Sequence, residues 1–137
     1  MKIKLFREGI KVPTKGRPND AGYDIYLPSD LTLDPNETAV IDLGVGIQLP
    51  SGYAGQLVVR SSVSKNALLV QPPLIDENYR GEIHCVCTNV GNSMIHYNAG
   101  DRICSLVVFP VFSEELEVVD ELDPSNRGEA WSGSSGK

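Results

Sequence analysis

Short runs of alternating apolar and polar residues follow one another along most of the chain. Such alternation is typical of half-buried β-strands, and clusters of Gly, Pro, Asn and Asp separate the runs about every ten residues. The pattern predicts strands over residues 2–6, 21–27, 38–49, 53–60, 82–90 and 102–112, and a further short strand between turn clusters at 28–30 and 34–36. Many short strands with frequent turns indicate an all-β sandwich or barrel, and we expect a jelly-roll-like arrangement.

Two C-terminal stretches are less regular. The apolar residues of Glu114–Leu122 fit a short helix or an irregular strand about equally well, and we favour the strand. Residues 125–137 show no strand pattern and are rich in Gly and Ser, which predicts a flexible tail. We therefore expect one β domain over residues 1–123 and a flexible arm over residues 124–137.

The stretch Leu74–Ile83 carries more chemistry than a turn requires. Its apolar start, its polar centre and the alternating residues 82–87 that follow predict a β-hairpin. The tip of this hairpin holds Asp76, Glu77, Tyr79 and Arg80. A turn has no need of a tyrosine and an arginine, and loops on a rigid scaffold are where binding groups tend to lie. This tip is therefore a candidate functional site.

Charge and hydropathy narrow the class of protein. A net charge of −6 and a pI near 4.8 argue against nonspecific nucleic-acid binding, which needs clustered Lys and Arg. The sequence has no apolar run of about 18 residues, and Met1–Phe6 alternates charged and bulky side chains. We expect no membrane span, no export and no nucleic-acid partner.

The three cysteines are Cys85, Cys87 and Cys104, too few for a closed set of disulfides. Cys85 and Cys87 lie two residues apart on a predicted strand and so share one face. We expect buried free thiols and a reducing, cytoplasmic location. The spacing of Cys and His residues does not favour a zinc site.

Three segments suit a phosphorylated ligand. They are Arg60-Ser61-Ser62, the acidic pair Asp20 and Asp24, and the tail from Arg127 to the Gly/Ser run 133–136. Hydroxyl groups, backbone N–H groups and arginine can bind phosphate oxygens. Carboxylates repel phosphate unless a hard cation lies between them, and Mg²⁺ bound through water and substrate phosphates meets that need. Taken singly, each segment is a weak signal, because Arg-Ser-Ser is common, Gly/Ser tails are usually linkers and a surface Asp pair is more often solvated than functional.

The order of these segments along the chain resembles that of the motifs of a known enzyme family. Ala21-Gly22-Tyr23-Asp24, Arg60-Ser61-Ser62, Leu74 to Gly81, Gly100-Asp101-Arg102-Ile103 and Arg127-Gly128 with Gly133 to Gly136 closely resemble the five ordered motifs of the homotrimeric dUTPases. The resemblance implies a distorted β jelly roll. It also implies hydrolysis of dUTP to dUMP and pyrophosphate with Mg²⁺, in a homotrimer whose active sites are shared between subunits.

The same resemblance implies roles for single residues. Asp76 would be the base that activates water at the α-phosphorus, and Asp24 would reach the metal through water. Substrate contacts would come from Arg60, Ser61, Ser62, Leu74, Ile75, Tyr79, Arg127, Trp131, Ser134 and Ser135. Within that set, Tyr79 would pack on the deoxyribose, and the backbone at Leu74 and Ile75 would read uracil. We interpret Asp101 and Arg102 as structural, and His84 and His96 match nothing catalytic.

Four positions depart from the family pattern. Pro73 replaces a glycine before the hairpin, Val59 replaces a proline before Arg60, and Ser105 replaces a glutamine. In the tail, the aromatic residue expected at position 132 is a serine, and Trp131 precedes it. We hypothesise that Trp131 stacks on uracil in its place, because a lone tryptophan in a Gly/Ser tail otherwise lacks a role.

Two other functions remain open from the sequence. One is a dCTP deaminase-like relative that shares the fold. The other is a regulator that binds a protein partner under the control of a nucleotide, as some phage members of the family do. The departures from the family pattern at positions 73, 105 and 132 leave the hypothesis of a protein-binding regulator open.

Overall fold

Eleven strands and one short helix form the described part of the computed structural model, which comprises residues 1–71, 73–126 and 128. The strands are β1 (Lys2–Leu5), β2 (Gly22–Ile25), β3 (Leu31–Leu33), β4 (Thr38–Asp42), β5 (Val45–Gln48), β6 (Tyr53–Val59), β7 (Leu68–Gln71), β8 (Leu74–Ile75), β9 (His84–Asn89), β10 (Ile95–Tyr97) and β11 (Cys104–Pro110). The helix, α1, is a single turn over Ser61–Ser64. This composition confirms the predicted all-β class.

The strands pair in four antiparallel groups. The largest has the order β2-β11-β6-β8, and a second has the order β4-β9-β7. Two further pairs, β1 with β5 and β10 with β3, complete the architecture. Most neighbours in space are distant in sequence, because the chain crosses repeatedly between the groups. This arrangement places β2, β11 and β6 side by side, so that the motif on β2 lies near the motifs that follow β6 and precede β11.

The core lies between the inward faces of these sheets. Alternate residues of β9 and β11 are buried, as the alternating pattern predicts for a sheet with one covered face. The largest fully buried side chains include Ile25, Leu33, Leu43, Leu57 and Leu106. Burial of aliphatic groups of this size contributes about 1.5–3 kcal/mol each, so this cluster fixes the framework that carries the site.

The cysteine prediction is confirmed, because all three thiols are free and buried. Hydrogen bonding to the Cys104 thiol, together with burial, raises the pKa of Cys85 to about 12. Hydrogen bonding to Cys85 and burial also raise the pKa of Cys87. These thiols therefore remain neutral over the physiological pH range and act as small apolar core residues.

The predicted hairpin at 74–83 is wrong. Strand β8 pairs with β6, whereas β9 pairs with β4 and β7, so the two segments belong to different sheets. The backbone of Ile83 bonds to Leu43 and Val45 instead of returning along β8. Residues 76–83 therefore form a loop that passes from one sheet to the other.

Three further sequence predictions differ from the structure. The segment Glu114–Leu122, which lies wholly within the described residues, is neither strand nor helix. The pattern predicts neither a helix nor a strand at the residues that form helix α1 and strand β10. Each is only three or four residues long, which is too short for a periodic pattern to identify. Strand β1 forms as predicted, but its apolar side chains Ile3 and Leu5 are exposed on this single chain.

No helix within the described ranges is long and apolar enough to span a membrane.

One fully buried polar side chain, that of Asn89, ties the end of β9 to its neighbours. Its Nδ2 atom donates to the carbonyl oxygens of Leu33, at 3.1 Å, and Ser93, at 2.8 Å. Its Oδ1 atom accepts a hydrogen bond from the N–H of Gly91 at 2.9 Å. Every polar atom of the amide is therefore used, and the 91–94 turn is fixed against β3 and β9.

We expect Asn89→Ala to lower the free energy of unfolding by about 3 kcal/mol, because it leaves buried backbone groups without partners. Urea unfolding at a fixed protein concentration measures the loss. Asn89→Asp, which keeps the acceptor but loses both donated bonds, should also be destabilised, whereas Asn92→Ala at an exposed position should not be. Equal stability of Asn89→Ala and wild type would contradict this role.

Candidate active site

A polar cleft of about 470 Å³ lies where β2, β6, α1 and β11 meet. Side chains from three motifs line it, namely Asp24, Arg60, Ser61, Ser62 and Arg102, together with Asp20 just before the first motif. Ser105 of β11 also lines this cleft. We call it the Asp24 cleft. The structure therefore brings together the predicted phosphate segments at 20–24 and 60–62.

Strand register explains why Asp24 and its partners meet. Asp24 on β2 lies opposite Ser105 on β11, and β11 in turn pairs with β6 on its other side. The N–H of Arg60 donates to the carbonyl oxygen of Ile103 at 3.1 Å, which holds Arg60 beside the start of β11. Three segments remote in sequence thus converge on one carboxylate.

The Asp24 carboxylate is largely buried, with only 13% of its side chain exposed. The Nε atom of Arg60 lies 3.2 Å from Oδ1, and the Nη1 atom of Arg102 donates to Oδ2 at 3.0 Å. The hydroxyl of Ser105 donates to Oδ1 at 2.7 Å. Because Asp20 also lines the cleft, two arginines face two carboxylates, and their charges balance. An anionic ligand would therefore depend on the arginine and serine donors together with a cation.

The serines of the second motif lie at the entrance of this cleft. Arg60 caps α1 with an extended backbone conformation, and the exposed Ser61 and Ser62 follow it in the first turn. Both side chains are therefore accessible from solvent, and their contact with a phosphate stays a prediction. Val63, the next residue, is buried and anchors this turn to the core.

A second cleft, of about 570 Å³, contains Asp76 and is called the Asp76 cleft. Leu74, Glu77 and Asn78 line it from the loop side, and the turn at Ser51-Gly52 lines it from the opposite side. The Asp76 side chain is exposed. A carboxylate placed in an open cleft can reach a water molecule, as a general base must.

The Glu77 side chain holds the loop that carries Asp76 against the Ser51-Gly52 turn. Its carboxylate accepts hydrogen bonds from the hydroxyl of Ser51, at 3.2 Å, and from the N–H of Gly52, at 2.5 Å. Arg80 adds a second restraint, since its Nη1 atom donates to the carbonyl oxygens of Glu77 and Tyr79. The loop that carries Asp76 is thus fixed by side-chain bonds, although it is exposed.

Tyr79 folds back over Gly81. Its hydroxyl donates to the carbonyl oxygen of Glu82 at 2.7 Å. A Cβ atom at position 81 would overlap the Tyr79 ring, so only glycine permits this conformation. The ring is 40% exposed, and its predicted contact with a sugar stays a prediction.

The backbone of β8, not its side chains, offers the polar groups of this region. Ile75 is buried in the core, so its predicted substrate contact is limited to backbone atoms, whereas Leu74 is 59% exposed. Among the described strands, β8 lies at the edge of its sheet, where one side of the backbone keeps free hydrogen-bonding groups. Pro73, just before β8, contributes no N–H group.

The two clefts are not adjacent on one chain. Ile75 pairs with Gly55 near the start of β6, whereas Arg60 follows the end of the same strand. At about 3.3 Å per residue, the backbones of Asp76 and Arg60 are separated by about 20 Å along this strand. A single chain therefore does not place these two residues on the same reacting group.

The residues of the Asp24 cleft fit Mg²⁺ only in combination with a phosphate ligand. Within the described residues, no group of three or more His, Cys, Asp or Glu side chains could hold a metal alone. Asp24 and Asp20 supply carboxylates, and Oδ2 of Asp20 already accepts the N–H of Arg17 at 2.8 Å. One or two carboxylates completed by water and phosphate oxygens is the usual coordination of Mg²⁺ in nucleotide sites.

Two contacts of the Asp24 carboxylate were not predicted from the sequence. The ion pair of Arg102 with Asp24 and the bond from Ser105 had no local signal, because their partners lie on another strand. The structural interpretation of Asp101 agrees with its contacts, since its carboxylate accepts a hydrogen bond from the Asn98 N–H. Arg102 pairs with Asp24 and also lines the Asp24 cleft, so its role is not confined to the structure of its own loop. Arg127, Trp131, Ser134 and Ser135 lie outside the described residues.

We expect Glu77→Ala to loosen the loop that carries Asp76, because it removes both bonds to the Ser51-Gly52 turn. Hydrogen–deuterium exchange of the amides in residues 76–80 should accelerate about tenfold or more, as expected for the loss of bonds to a charged group. Glu77→Gln keeps an acceptor and should exchange more slowly than Glu77→Ala. Glu8→Ala serves as a control for the loss of surface charge. Unchanged exchange in Glu77→Ala would show that these two bonds do not hold the loop.

Sequence comparisons agree with the motifs. A family model described as dUTPase matches residues 8–136. The chain is 39% identical to the human mitochondrial deoxyuridine 5'-triphosphate nucleotidohydrolase, covering 100% of this chain but only 56% of the human protein. It is 36% identical to the Clostridium tetani deoxyuridine 5'-triphosphate nucleotidohydrolase, covering 100% of this chain and 97% of that protein.

Structural comparisons also match this chain to dUTPases. A mutant of the Staphylococcus bacteriophage 80alpha dUTPase with dUpNHpp matches with a TM-score of 0.94 and 30% identity, over 99% of this chain and 98% of that chain. The dUTPase from phage phi11 of S. aureus matches with a TM-score of 0.85 and 28% identity, over 89% and 97% of the two chains. These matches confirm the predicted fold, and the chain belongs to the dUTPase family.

Proposed function

We propose that this chain hydrolyses dUTP to dUMP and pyrophosphate, by attack of water on the α-phosphorus. The observation that carries the proposal is the Asp24 cleft, in which Arg60, Arg102 and the two serines of the second motif lie beside the carboxylates of Asp24 and Asp20. Such a donor set suits a triphosphate, and membership of the dUTPase family identifies the nucleotide.

Asp76 is the general base in this proposal. Its carboxylate is exposed in its own cleft, on a loop held by Glu77 and Arg80, and can take a proton from water as the oxygen attacks phosphorus. Charge that develops on the phosphate oxygens is stabilised by arginine and serine donors. Tyr79 packs on the deoxyribose, and the edge backbone of β8 reads the base.

Mg²⁺ is the proposed cofactor, and Asp24 is the residue that meets it through water. When bound, the ion neutralises charge on the phosphate oxygens. Support comes from the carboxylates of the Asp24 cleft and, indirectly, from a relative. A mutant of the phage phi11 dUTPase, which is 27% identical to this chain, is described as revealing the coordination of a structural Mg(II) ion.

In this proposal the protein is a homotrimer, in which the Asp76 cleft of one chain and the Asp24 cleft of another form one shared active site. Since Asp76 and Arg60 of one chain are about 20 Å apart along β6, they act together only if a second chain supplies one of them. The C-terminal segment supports association as well. Phe112, Leu116, Val118 and Leu122 are each at least 85% exposed, and this much exposed apolar surface favours burial against another copy.

The arm over residues 124–137 closes over the nucleotide in this proposal. Arg127, Ser134 and Ser135 contact the γ-phosphate, and Trp131 stacks on uracil. This part of the proposal is supported by sequence alone, through the match of the family model up to residue 136.

We expect Asp76→Asn to lower kcat for dUTP roughly 10²- to 10⁴-fold, because the amide cannot accept the proton from water. The side chain keeps its shape, so the affinity for a nonhydrolysable dUTP analogue should change by no more than about threefold. Pyrophosphate release and calorimetry measure the two quantities. Asp34→Asn, at an exposed turn, is the control and should retain full activity. Undiminished pyrophosphate release from Asp76→Asn would show that the proposed base is wrong.

Mixing two inactive variants tests the shared sites. Asp76→Asn and Arg60→Ala are each expected to be inactive, but equal amounts unfolded and refolded together should recover roughly a quarter of wild-type activity if each site takes the two residues from different chains. A mixture of Asp76→Asn with Asp76→Ala controls for refolding and should stay inactive. If the first mixture also stays inactive, one chain supplies both residues and the shared arrangement is excluded.

A second candidate function is nucleotide-dependent binding of a protein partner. The observation in its favour is the TM-score of 0.94 to the phage 80alpha dUTPase with dUPNHPP, which is described as controlling transfer of virulence genes by a proto-oncogenic G protein-like mechanism. This activity would accompany hydrolysis and would not replace it. The dCTP deaminase-like alternative is not retained, because the matching family model is dUTPase.

A cytoplasmic location, inferred from the free thiols, stays a prediction. The human relative is named as mitochondrial.

A further inference from the structure

Ser105 makes the shortest of the contacts to the Asp24 carboxylate. Its hydroxyl donates to Oδ1 at 2.7 Å, compared with 3.2 Å for Arg60 Nε and 3.0 Å for Arg102 Nη1. The two residues lie opposite each other in adjacent strands, so the bond crosses directly from β11 to β2.

The contacts divide unequally between the two carboxylate oxygens. Oδ1 meets both Ser105 and Arg60, whereas Oδ2 meets Arg102 alone. A carboxylate offers about four acceptor positions, two on each oxygen. The contacts from Ser105 and Arg102 are hydrogen bonds, one to each oxygen, whereas Arg60 Nε lies beside Oδ1 as an ion pair. Each oxygen therefore keeps a further acceptor position, and the bond from Ser105 fixes the rotation of the carboxylate, which sets the direction in which those positions point.

The two arginines do not secure the orientation of the Asp24 carboxylate once a ligand binds. Arg60 and Arg102 line the same cleft as Ser61 and Ser62, where a triphosphate would compete with Asp24 for their donors. A doubly charged phosphate attracts a guanidinium more strongly than a single carboxylate does. The neutral hydroxyl of Ser105 is not drawn away by charge, and it sits on a central strand of the sheet.

Gly22 provides the space that this contact requires. A Cβ atom at position 22 would lie 2.9 Å from the Cβ atom of Ser105, closer than side chains approach one another. Gly22 lies on β2 two residues before Asp24, so the absence of its side chain allows β2 and β11 to bring Asp24 and Ser105 within hydrogen-bonding distance.

We propose that Ser105 is a positioning residue that holds the Asp24 carboxylate in one orientation while Arg60 and Arg102 turn to the substrate phosphates. The proposal rests on the proposed function, because it assigns Ser105 to the binding of the metal–triphosphate. Ser105 itself contacts neither substrate nor reacting atoms in this role. It acts through Asp24 and affects ground-state binding of the nucleotide more than the chemical step.

The test compares Ser105→Ala, Ser105→Thr and wild type, with Ser29→Ala as a control for the loss of an exposed serine hydroxyl. Calorimetry measures the affinity for a nonhydrolysable dUTP analogue at several Mg²⁺ concentrations, and steady-state kinetics gives kcat and KM. For Ser105→Ala we expect Kd and KM to rise about tenfold, as for the loss of a bond to a charged group, with kcat within about twofold of wild type. Ser105→Thr keeps the hydroxyl and should bind as wild type does.

A double-mutant cycle with Asp24→Asn separates positioning from a general loss of stability. If Ser105 acts through Asp24, adding Ser105→Ala to Asp24→Asn should weaken analogue binding much less than it does in wild type. Additive effects would overturn the proposal. So would wild-type affinity in Ser105→Ala, equal impairment of Ser105→Thr and Ser105→Ala, or a fall in kcat with unchanged KM.

The wild-type protein distinguishes failure of this role from failure of the proposed function. If wild type neither binds the analogue nor hydrolyses dUTP, the proposed function fails and this role fails with it. If wild type does both and Ser105→Ala behaves identically, only the role of Ser105 is refuted.

Discussion

A buried carboxylate must be compensated, and in this protein the compensation of Asp24 organises the site. A charge with 13% of its side chain exposed is costly unless paired and hydrogen-bonded. Arg60 after β6, Arg102 before β11 and Ser105 within β11 supply those partners. Three strands must keep their mutual register for this to happen, so the packing of the sheet and the chemistry of the cleft depend on each other.

Strand β6 acts as a spacer between two functional ends. Its start pairs with β8, which leads into Asp76, and its end leads into Arg60 and the Asp24 cleft. The extended backbone that keeps these ends apart is also what makes association necessary in the proposed mechanism. The exposed apolar segment after β11 fits this view, because a chain with Leu116 and Val118 almost fully exposed has surface to bury against another copy.

Order in the exposed loop at 76–80 comes from side chains more than from regular secondary structure. Glu77 bonds to the Ser51-Gly52 turn, Arg80 bonds to two carbonyl oxygens of its own loop, and the Tyr79 hydroxyl reaches Glu82. These contacts explain the residues that a simple turn would not need. They also keep the Asp76 carboxylate in a defined place without burying it, so that it remains accessible to water.

The sequence by itself determined the all-β class, most strand positions and the family, because alternation with period two and ordered motifs are local properties of the chain. It also identified Asp24, Arg60, Ser61, Ser62 and Asp76 as candidates. Only the tertiary structure decided which strands pair, since an alternating pattern marks the covered face of a strand but carries no information on its neighbour. For that reason the hairpin at 74–83 was wrong. For the same reason the bond between Ser105 and Asp24, 81 residues apart, had no signature in the sequence.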